Sequence, residues 1–334
     1  MTTLIDKFIN KKYCYFRSKL STREQFAYDC VLSGFISFKT NIKIPNIETE
    51  RIQDIFQNVL FDNPIIFFVE SASYQIVKGK YCNMVIPKYR FGEIQIKSTI
   101  HAIFNKTERF INSCRDLDEL SKEEKVHNYL INNVVYDYDF KQSSFECVGP
   151  LLFGHGVCEG ISKAAKLLMD LLDIHSLIVI GKSTQNVSNT DLHAWNIVKI
   201  NGNYSHLDIT FDITLMTWNV IRYDYFNLSD EEILLDHTIL TKNIPRCSSS
   251  NSYYKMNNLI IYMQKDFNSY FKTHLSNGNK DVVFKLPNTK NFETAKNKVF
   301  NLTDNYLSNN YKGYINYQFS MNEAQAVFHL HILD

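Results

Sequence analysis

A glycine-rich loop that runs straight into a strong helix constrains this chain more than any other stretch. Residues 153–160 read Phe-Gly-His-Gly-Val-Cys-Glu-Gly, and from Ile161 to Leu172 apolar residues recur every three or four positions, as in a helix with one buried face. Cys158 falls in the first helical turn, where free backbone N–H groups and the helix dipole favour a negative charge. A thiolate is the nucleophilic form of cysteine, so this position predicts a reactive thiol, with Gly156 leaving space for a substrate backbone. A lone cysteine is more often a small apolar residue under a loop, and the choice depends on which side chains join it.

A second stretch predicts a β-hairpin that puts an aspartate beside a histidine. Two β-rich runs flank the Asn-Gly dipeptide at residues 201–202, which is typical of two-residue hairpin turns because both residues adopt positive φ. Counting back from this turn puts His193 opposite Thr210. Side chains alternate along a strand, so Asp208 and Asp212 both fall on the face of His193, on its two diagonals. The hairpin therefore predicts a His–Asp pair and leaves open which aspartate completes it.

Together the two stretches supply the parts of a cysteine acyl-transfer site. Cys158 would be the nucleophile, His193 the general base, and one of the two aspartates the group that orients the histidine. A charged cysteine–histidine pair would keep the thiol reactive at neutral pH.

These motifs resemble the core domain of transglutaminase-like proteins. The resemblance rests on the Gly-Val-Cys-Glu-Gly loop with its helix, the His-Ala-Trp-Asn run and the Tyr-Ser-His-Leu-Asp-Ile-Thr-Phe-Asp run, and it covers roughly residues 120–230. That superfamily has a papain-like α+β fold and includes protein-crosslinking transglutaminases, cysteine peptidases and peptide N-glycanases. The resemblance implies that Cys158 is the nucleophile, His193 the base and Asp208, rather than Asp212, the third member. The flanking sequences are similar to those of Gram-positive bacterial members, and the resemblance leaves the reaction open.

Further residues of the cleft follow from the same resemblance. Trp195 matches an aromatic residue that often follows the catalytic histidine by two positions. One oxyanion donor would be the backbone N–H of Cys158. The superfamily takes a second donor from a side chain upstream of the cysteine, for which Gln142 and Tyr138 are both candidates. His155, three residues before the cysteine, either lines the site or is exposed on the loop.

The chain divides into three predicted units of an α+β protein. We expect an N-terminal α+β module over residues 1–115, a papain-like transglutaminase core over 116–245 in which the cysteine-bearing helix packs on an antiparallel sheet, and a C-terminal β-α-β-β module over 250–334. The order of the C-terminal module resembles that of residues 36–86, which suggests a weak internal repeat, although β-α-β-β is a common order. The predicted role of the flanking modules is to recognise a partner or to shape the cleft.

Composition argues against several other classes of protein. The chain of 334 residues carries a net charge of +1 and no array of basic and aromatic residues, so we expect no nucleic acid partner. Its N-terminus lacks the apolar core of a leader peptide, and no apolar run reaches the roughly 18 residues that would predict a membrane span. The seven cysteines are odd in number and contain no Cys-x-x-Cys pair, which favours free thiols in a reducing, cytoplasmic compartment over disulfides or a cysteine-based metal site. No motif indicates a cofactor or a metal, and the oligomeric state is left open.

Three functions remain on the sequence alone. The first is an enzyme that acts on peptide or glutamine amides of a protein or peptide substrate through an acyl-enzyme. Peptidase, deamidase and transglutaminase chemistry differ in the acceptor, which loops such as 182–191 would shape, and hydrolysis is favoured because water is always available and crosslinking inside a bacterial cell would be hazardous. The second is a catalytically silent binding or scaffold protein with the same core. The third is a zinc-dependent hydrolase built from His193, His206 and Asp208.

Overall fold

Three antiparallel sheets and a short parallel pair organise the part of the chain that the structure describes. The structure is a computed structural model, and it describes residues 4–184, 192–248, 251–276, 278–287, 291–311 and 315–333. Most of the loop predicted to shape the acceptor site, at 185–191, lies outside these ranges. The strands are β1 (Ile42–Pro45), β2 (Val69–Val77), β3 (Cys82–Tyr89), β4 (Val135–Tyr136), β5 (His155–Gly156), β6 (His175–Ser183), β7 (His193–Ile200), β8 (Asn203–Leu207), β9 (Phe226–Leu228), β10 (His237–Ile239), β11 (Asp281–Lys285), β12 (Tyr317–Asn322) and β13 (Val327–Ile332). The helices are α1 (Tyr15–Ser18), α2 (Thr22–Ile36), α3 (Thr49–Asp62), α4 (Glu93–Cys114), α5 (Glu119–Asn133), α6 (Cys158–Leu171), α7 (Ile209–Leu215), α8 (Asp230–Ile233), α9 (Tyr253–Met256), α10 (Gln264–Ser276) and α11 (Phe292–Asn310).

The first three strands form a sheet in the order β1-β3-β2, with α2 and α3 packed beside it. Residues Val69–Val77 form the single strand β2, with a shift of register between Val69 and Tyr74, and the strand does not extend back into the apolar residues 65–68. The apolar residues before Val69 belong instead to a buried turn, which the N–H of Ile66 closes by donating to the carbonyl of Asn63 at 2.9 Å. Among the described residues, no helix is long and apolar enough to cross a membrane.

The last three strands have the same topology as the first three. They form a sheet in the order β11-β13-β12, and both outer strands run antiparallel to the central one, as in β1-β3-β2. In each sheet a helix, α3 or α11, follows the first strand and precedes a hairpin. The similarity noted in the sequence therefore extends to strand order and direction.

The central sheet carries the candidate site and confirms the predicted α+β class. Its five strands run antiparallel in the order β10-β6-β7-β8-β9, and α6 packs against β6 and β7. Two buried hydrogen bonds fix this helix to β7: the Ser162 hydroxyl donates to the carbonyl of Ala194 at 3.1 Å, and the Asn196 amide donates to the carbonyl of Ser162 at 3.1 Å. Cys158 lies one turn before Ser162, so these bonds set the position of the cysteine relative to the strand that begins with His193.

The predicted hairpin forms around its Asn-Gly turn. Ile200 pairs with Asn203, and both turn residues have positive φ, 50° at Asn201 and 85° at Gly202. The antiparallel pairing continues back to Leu207, as the register predicts.

The second strand of the hairpin ends earlier than predicted. Residues Ile209–Leu215 form α7, and Asp208 is its N-cap, because its carboxylate accepts the N–H of Phe211 at 3.1 Å. A local bond of this kind competes with continued strand pairing and favours a helix start. The predicted pairing of His193 with Thr210 is therefore wrong, although the first aspartate still comes to the histidine.

Candidate active site

Cys158 is the first residue of α6 and directly follows the glycine-rich loop. Cys158 is 9% exposed. The N-cap residue of the helix, Val157, makes no capping hydrogen bond with its side chain, so the first backbone N–H groups of α6 have no acceptor from the N-cap side chain. The carboxylate of Glu159, next to the cysteine, is paired with the ammonium of Lys163 at 2.8 Å. The start of α6 therefore presents free backbone N–H groups beside the cysteine, and the neighbouring carboxylate is neutralised by its pairing with Lys163.

The glycines of the loop allow close packing around the start of α6. A Cβ on Gly156 would come within 2.7 Å of a Pro150 side-chain carbon. A Cβ on Gly160 would overlap the carbonyl oxygen of Ser144, which also accepts the N–H of Val157 at 3.0 Å. The missing side chains therefore let the preceding loop lie directly on the start of α6.

His193 and Asp208 lie in hydrogen-bond contact. The Nε2 atom of His193 is 2.5 Å from Oδ2 of Asp208, and both side chains are buried. The thiol of Cys158 also interacts with this ring, on which Asp208 leaves Nδ1 free. Burial alone would lower the pKa of His193, but the Asp208 carboxylate and the Cys158 thiol raise it to about 10. Burial likewise opposes charge on Asp208, and the histidine outweighs it and holds the pKa of the carboxyl well below its usual range.

Trp195 packs against the ring of His193. It is 1% exposed, and its ring stacks on that of His193 with centroids 5.8 Å apart and planes 19° apart. The indole N–H donates to Nδ1 of His206 at 3.0 Å, and Nε2 of His206 lies 2.9 Å from Asp230. Phe211 packs on another side of the His193 ring at 4.8 Å. These contacts leave the ring of His193 little freedom to turn.

Two clusters of described residues contain side chains of the types that bind metals, namely His193–Asp208–His237 and His206–Asp230–Cys247. In the first cluster the 2.5 Å contact is too short for two ligands of one zinc ion, whose bonds of about 2.0–2.2 Å keep ligand atoms about 3 Å apart. In the second, the Trp195 bond to Nδ1 puts the proton of a neutral His206 on Nε2, facing Asp230. Hydrogen bonds therefore account for both clusters. His206 does not join His193 and Asp208, as the zinc alternative requires.

Asp212, the other aspartate of the hairpin prediction, lies one helical turn away from the site. Its carboxylate lies 3.0 Å from Nε2 of His127 and accepts the N–H of Tyr225 at 3.1 Å. The structure therefore separates the two aspartates that the hairpin geometry left equivalent.

The two side chains predicted as oxyanion donors are exposed. Tyr138 is 67% exposed, and its ring packs edge-on against Tyr136 at 4.9 Å. Gln142 lines a cavity of about 400 Å³ beside α4, and no member of the Cys–His–Asp group lines that cavity. The structure brings neither side chain into a described contact with the cysteine.

Tyr136 is a candidate that the sequence reasoning missed. β4 pairs in parallel with β5, so Tyr136 lies opposite Gly156, two residues before the cysteine. Its hydroxyl is buried and has no hydrogen-bond partner among the described residues. Burial, followed by the charges of Cys158 and Asp208, raises the pKa of Tyr136. No local pattern predicts this position, because the pairing of β4 with β5 joins segments on either side of a long loop.

His155 belongs to the framework of the loop. Its Nδ1 lies 2.7 Å from the hydroxyl of Ser144, which also donates to the carboxylate of Asp137. Although burial opposes it, the hydrogen bonds from Ser144 and from backbone N–H groups lower the pKa of Asp137 to about 2. Phe153 stacks on the His155 ring at 5.9 Å. The prediction left His155 either lining the site or exposed, and the structure instead gives it partners within the loop.

The comparison with protein families identifies the core. Residues 108–209 match the model of the transglutaminase-like superfamily core, Transglut_core, and this range contains Cys158, His193 and Asp208. The chain therefore contains a transglutaminase-like core domain, which confirms the resemblance seen in the sequence. A comparison with proteins of curated function found no match.

Solved structures provide distant likenesses. A candidate cysteine protease from Cytophaga hutchinsonii is 15% identical over 41% of this chain and 61% of its own, with a TM-score of 0.28. A TGase is 12% identical over 55% of this chain and 53% of its own, with a TM-score of 0.31. A candidate protease from Parabacteroides distasonis is 11% identical over 41% of this chain and 30% of its own, with a TM-score of 0.25. The chain thus spans less than two thirds of each of these proteins.

Proposed function

We propose that this protein is a cysteine-dependent acyl-transfer enzyme that acts on peptide or glutamine amides of a protein or peptide substrate. The observation that carries the proposal is the buried pair in which Nε2 of His193 lies 2.5 Å from Asp208, together with Cys158 at the start of α6, whose thiol is one of the groups that raise the pKa of His193. In this arrangement Cys158 is the nucleophile, His193 the general acid and base, and Asp208 the residue that orients the imidazole.

The proposed reaction has two halves. The thiolate of Cys158 attacks the amide carbonyl carbon, and the tetrahedral intermediate expels the amine, which takes the proton from His193. The product of this half is a thioester. Water then attacks the thioester while His193 accepts its proton, and collapse of the second intermediate releases the carboxylic acid and restores the thiol. Because the pKa of His193 is raised to about 10, we expect the imidazolium needed for the first half to be lost only as the pH rises through about 10.

Tyr136 supports the proposal as a donor to the oxyanion. A buried hydroxyl without a partner costs on the order of 1–3 kcal/mol, so an unpaired donor beside a cysteine requires an explanation. The negative oxygen of a tetrahedral intermediate would supply the missing acceptor, together with the backbone N–H of Cys158. We assign this role to Tyr136 in place of the exposed Gln142 and Tyr138.

Water is the acyl acceptor that we favour, because it needs no binding site of its own. Deamidation and transamidation use the same thioester and differ only in the substrate amide or in the acceptor. A binding protein with a silent core remains the alternative, and the first experiment separates it from the enzyme.

The decisive experiment measures how fast iodoacetamide labels each cysteine as a function of pH, with mass spectrometry to locate the label. We expect selective labelling of Cys158 below pH 7 in the wild type and loss of this selectivity in His193→Ala. Peptides that contain glutamine are then incubated with the wild type and with Cys158→Ala, with and without a primary amine, and product masses distinguish cleavage, deamidation and transamidation. Labelling of Cys158 no faster than that of the other six thiols would contradict the enzyme and favour the silent alternative.

Tyr136→Phe tests the oxyanion assignment. We expect turnover of a peptide substrate to fall by about 10²–10³-fold, as when an oxyanion donor is removed from other acyl-transfer enzymes. The rate of iodoacetamide labelling should not change, since alkylation forms no oxyanion, and the thermal midpoint should not fall, since the hydroxyl has no partner to lose. Tyr138→Phe is the matched control and should retain full turnover. Equal turnover of the two variants would overturn the role of Tyr136.

A further inference from the structure

A second histidine lies behind the aspartate of the candidate site. His237 begins β10, the edge strand that pairs antiparallel with β6. Its Nε2 lies 3.2 Å from Oδ2 of Asp208, and its Nδ1 lies 2.7 Å from Oδ1 of Asp236. The ring is completely buried. No motif in the sequence indicates it, because the histidine follows Asp208 at a distance and reaches it through a different strand.

Each nitrogen of the His237 ring faces a carboxylate oxygen. An ionised carboxylate only accepts hydrogen bonds, so both nitrogens of His237 must donate, and a neutral ring would turn a lone pair toward one of the two carboxylates. An imidazolium satisfies both contacts, and charge-assisted bonds of this kind are stronger than neutral ones. Although burial disfavours the charge, Asp208 and Asp236 raise the pKa of His237.

The contacts of Asp208 show what this cation does for the site. Oδ2 of Asp208 faces Nε2 of His193 at 2.5 Å and Nε2 of His237 at 3.2 Å, while Oδ1 accepts the N–H of Phe211 at 3.1 Å. Three donors on two oxygens fix the rotation of the carboxylate. They also balance its charge in a buried place where an ion without partners would be costly.

The surroundings of His237 are largely aromatic. Centroid distances from its ring are 4.8 Å to Phe211, 5.1 Å to Trp195, 5.4 Å to His193 and 5.6 Å to Tyr225. The hydroxyl of Tyr225 donates to the second oxygen of Asp236. The titratable groups that face His237 are thus Asp208, Asp236, His193 and Tyr225, with His206 further away.

We propose that His237 is a positioning residue of the Cys158 site, a buried imidazolium that links Asp236 to Asp208 and keeps Asp208 ionised and oriented toward His193. This inference rests on the proposed function of that site. His237 itself touches neither the cysteine nor, in the proposed reaction, the substrate.

The test compares the pH profile of Cys158 labelling by iodoacetamide in the wild type and in His237→Gln. Glutamine retains a donor for Asp208 but removes the positive charge. Without that charge the thiolate forms at higher pH, so we expect the midpoint of the labelling profile to move upward by about one pH unit. A role in folding alone would change the rate by the same factor at every pH and leave the midpoint in place.

His329→Gln is the matched control. His329 is also a buried histidine on a carboxylate, with Nε2 2.7 Å from Asp281, but it lies in the C-terminal sheet. We expect its profile to coincide with that of the wild type. An unshifted midpoint in His237→Gln would overturn the inference while leaving the function intact. Loss of selective labelling in the wild type itself would reject the proposed function, and the inference with it.

A second measurement covers the case in which His237→Gln does not fold. The full-length His193→Ala protein is labelled with ¹⁵N-histidine, and NMR at about pH 8 should still detect one imidazole ring with both nitrogens protonated. Adding Asp236→Asn to this protein should remove the signal of the doubly protonated ring. A neutral ring at that pH would overturn the inference. A stoichiometric metal ion in the purified wild type that is absent from His237→Gln would also overturn it, because the ring would then be a ligand.

Discussion

Asp208 and Asp212 lie one helical turn apart, yet their surroundings move their pKa values in opposite directions. Burial raises the pKa of both. At Asp208 two histidines outweigh burial, and the carboxyl stays ionised. At Asp212 the nearby carboxylate of Asp224 adds to the effect of burial, and the pKa rises well above its usual range. Only Asp208 therefore has the charge that an orienting partner of His193 needs.

Glu123 is a second carboxyl at which burial dominates. Its side chain is completely buried, one oxygen accepts the Asn227 amide at 2.9 Å, and the other has no partner among the described residues. Burial raises its pKa from 4.5 to about 8. Between these values the folded state holds a proton that the unfolded state has lost, so this group weakens the fold as the pH rises through that window.

We expect Glu123→Gln to be more stable than the wild type at pH 8 by about 1–3 kcal/mol, and the gain to shrink toward pH 5, where the carboxyl is neutral in the fold. Urea denaturation of both proteins at the two pH values measures the difference. Glu108→Gln, at an exposed position of α4, should give no such pH-dependent gain. The same gain at both pH values would show that the charge of Glu123 is not the cause.

At the scale of elements, the site depends on how closely β10, β6 and β7 pack. Gly181 on β6 pairs with Ile239 of β10 on one side and with His193 of β7 on the other. A Cβ at Gly181 would overlap the carbonyl oxygen of Thr238 and press on the ring of Trp195. This glycine therefore lets the strand that carries His237 approach the ring that supports the candidate base.

Gly181→Ala should separate these strands. We expect a loss of about 1–3 kcal/mol in the free energy of unfolding, because a backbone carbonyl cannot move aside as a side chain can. We also expect slower labelling of Cys158 by iodoacetamide, since Trp195 and β10 both shift. Gly92→Ala is the control, because a Cβ there meets nothing within 4 Å and φ is −73°. Wild-type stability and labelling in Gly181→Ala would refute the close packing.

At the scale of the whole molecule, the C-terminal segment that begins with α9 (Tyr253–Met256) packs against the central core through that helix. The hydroxyl of Tyr254 donates to the carboxylate of Asp224 at 2.9 Å, and the ring of Tyr253 stacks on that of Tyr223 at 3.7 Å. α9 falls in the range 250–334 predicted for the C-terminal module, yet these contacts join it to residues between α7 and β9. Loss of the segment should therefore weaken the central sheet.

Tyr254→Phe tests this coupling with a single atom. We expect the free energy of unfolding to fall by about 1–2 kcal/mol, because buried Asp224 loses one donor while it keeps the Arg222 guanidinium at 2.7 Å. Urea denaturation measures the loss, and Tyr262→Phe, at a position 64% exposed, should show none. Equal stability of the two variants would mean that the segment contributes little to the core.

Local patterns allowed much of the core to be predicted. The position of Cys158 at the start of a helix and the pairing of Ile200 with Asn203 around the Asn-Gly turn depend on residues that are close in the chain. The prediction failed where a local bond took over, as at Asp208, whose capping of α7 ended the predicted strand. The spacing of four between the two aspartates fits one turn of helix as well as alternate positions of a strand, so periodicity could not reveal the change.

The sequence by itself determined the helix with its cysteine, the turn and the pair of a histidine with an aspartate. Only the tertiary structure decided which other groups surround that pair. The parallel pairing of β4 with β5 places Tyr136 opposite Gly156, two residues before the cysteine, and His237 reaches Asp208 from an edge strand on the far side of β6. Both depend on contacts between segments that are distant in sequence, and such contacts form because buried polar and apolar groups need partners from the whole fold, a requirement that leaves no periodic pattern in the chain.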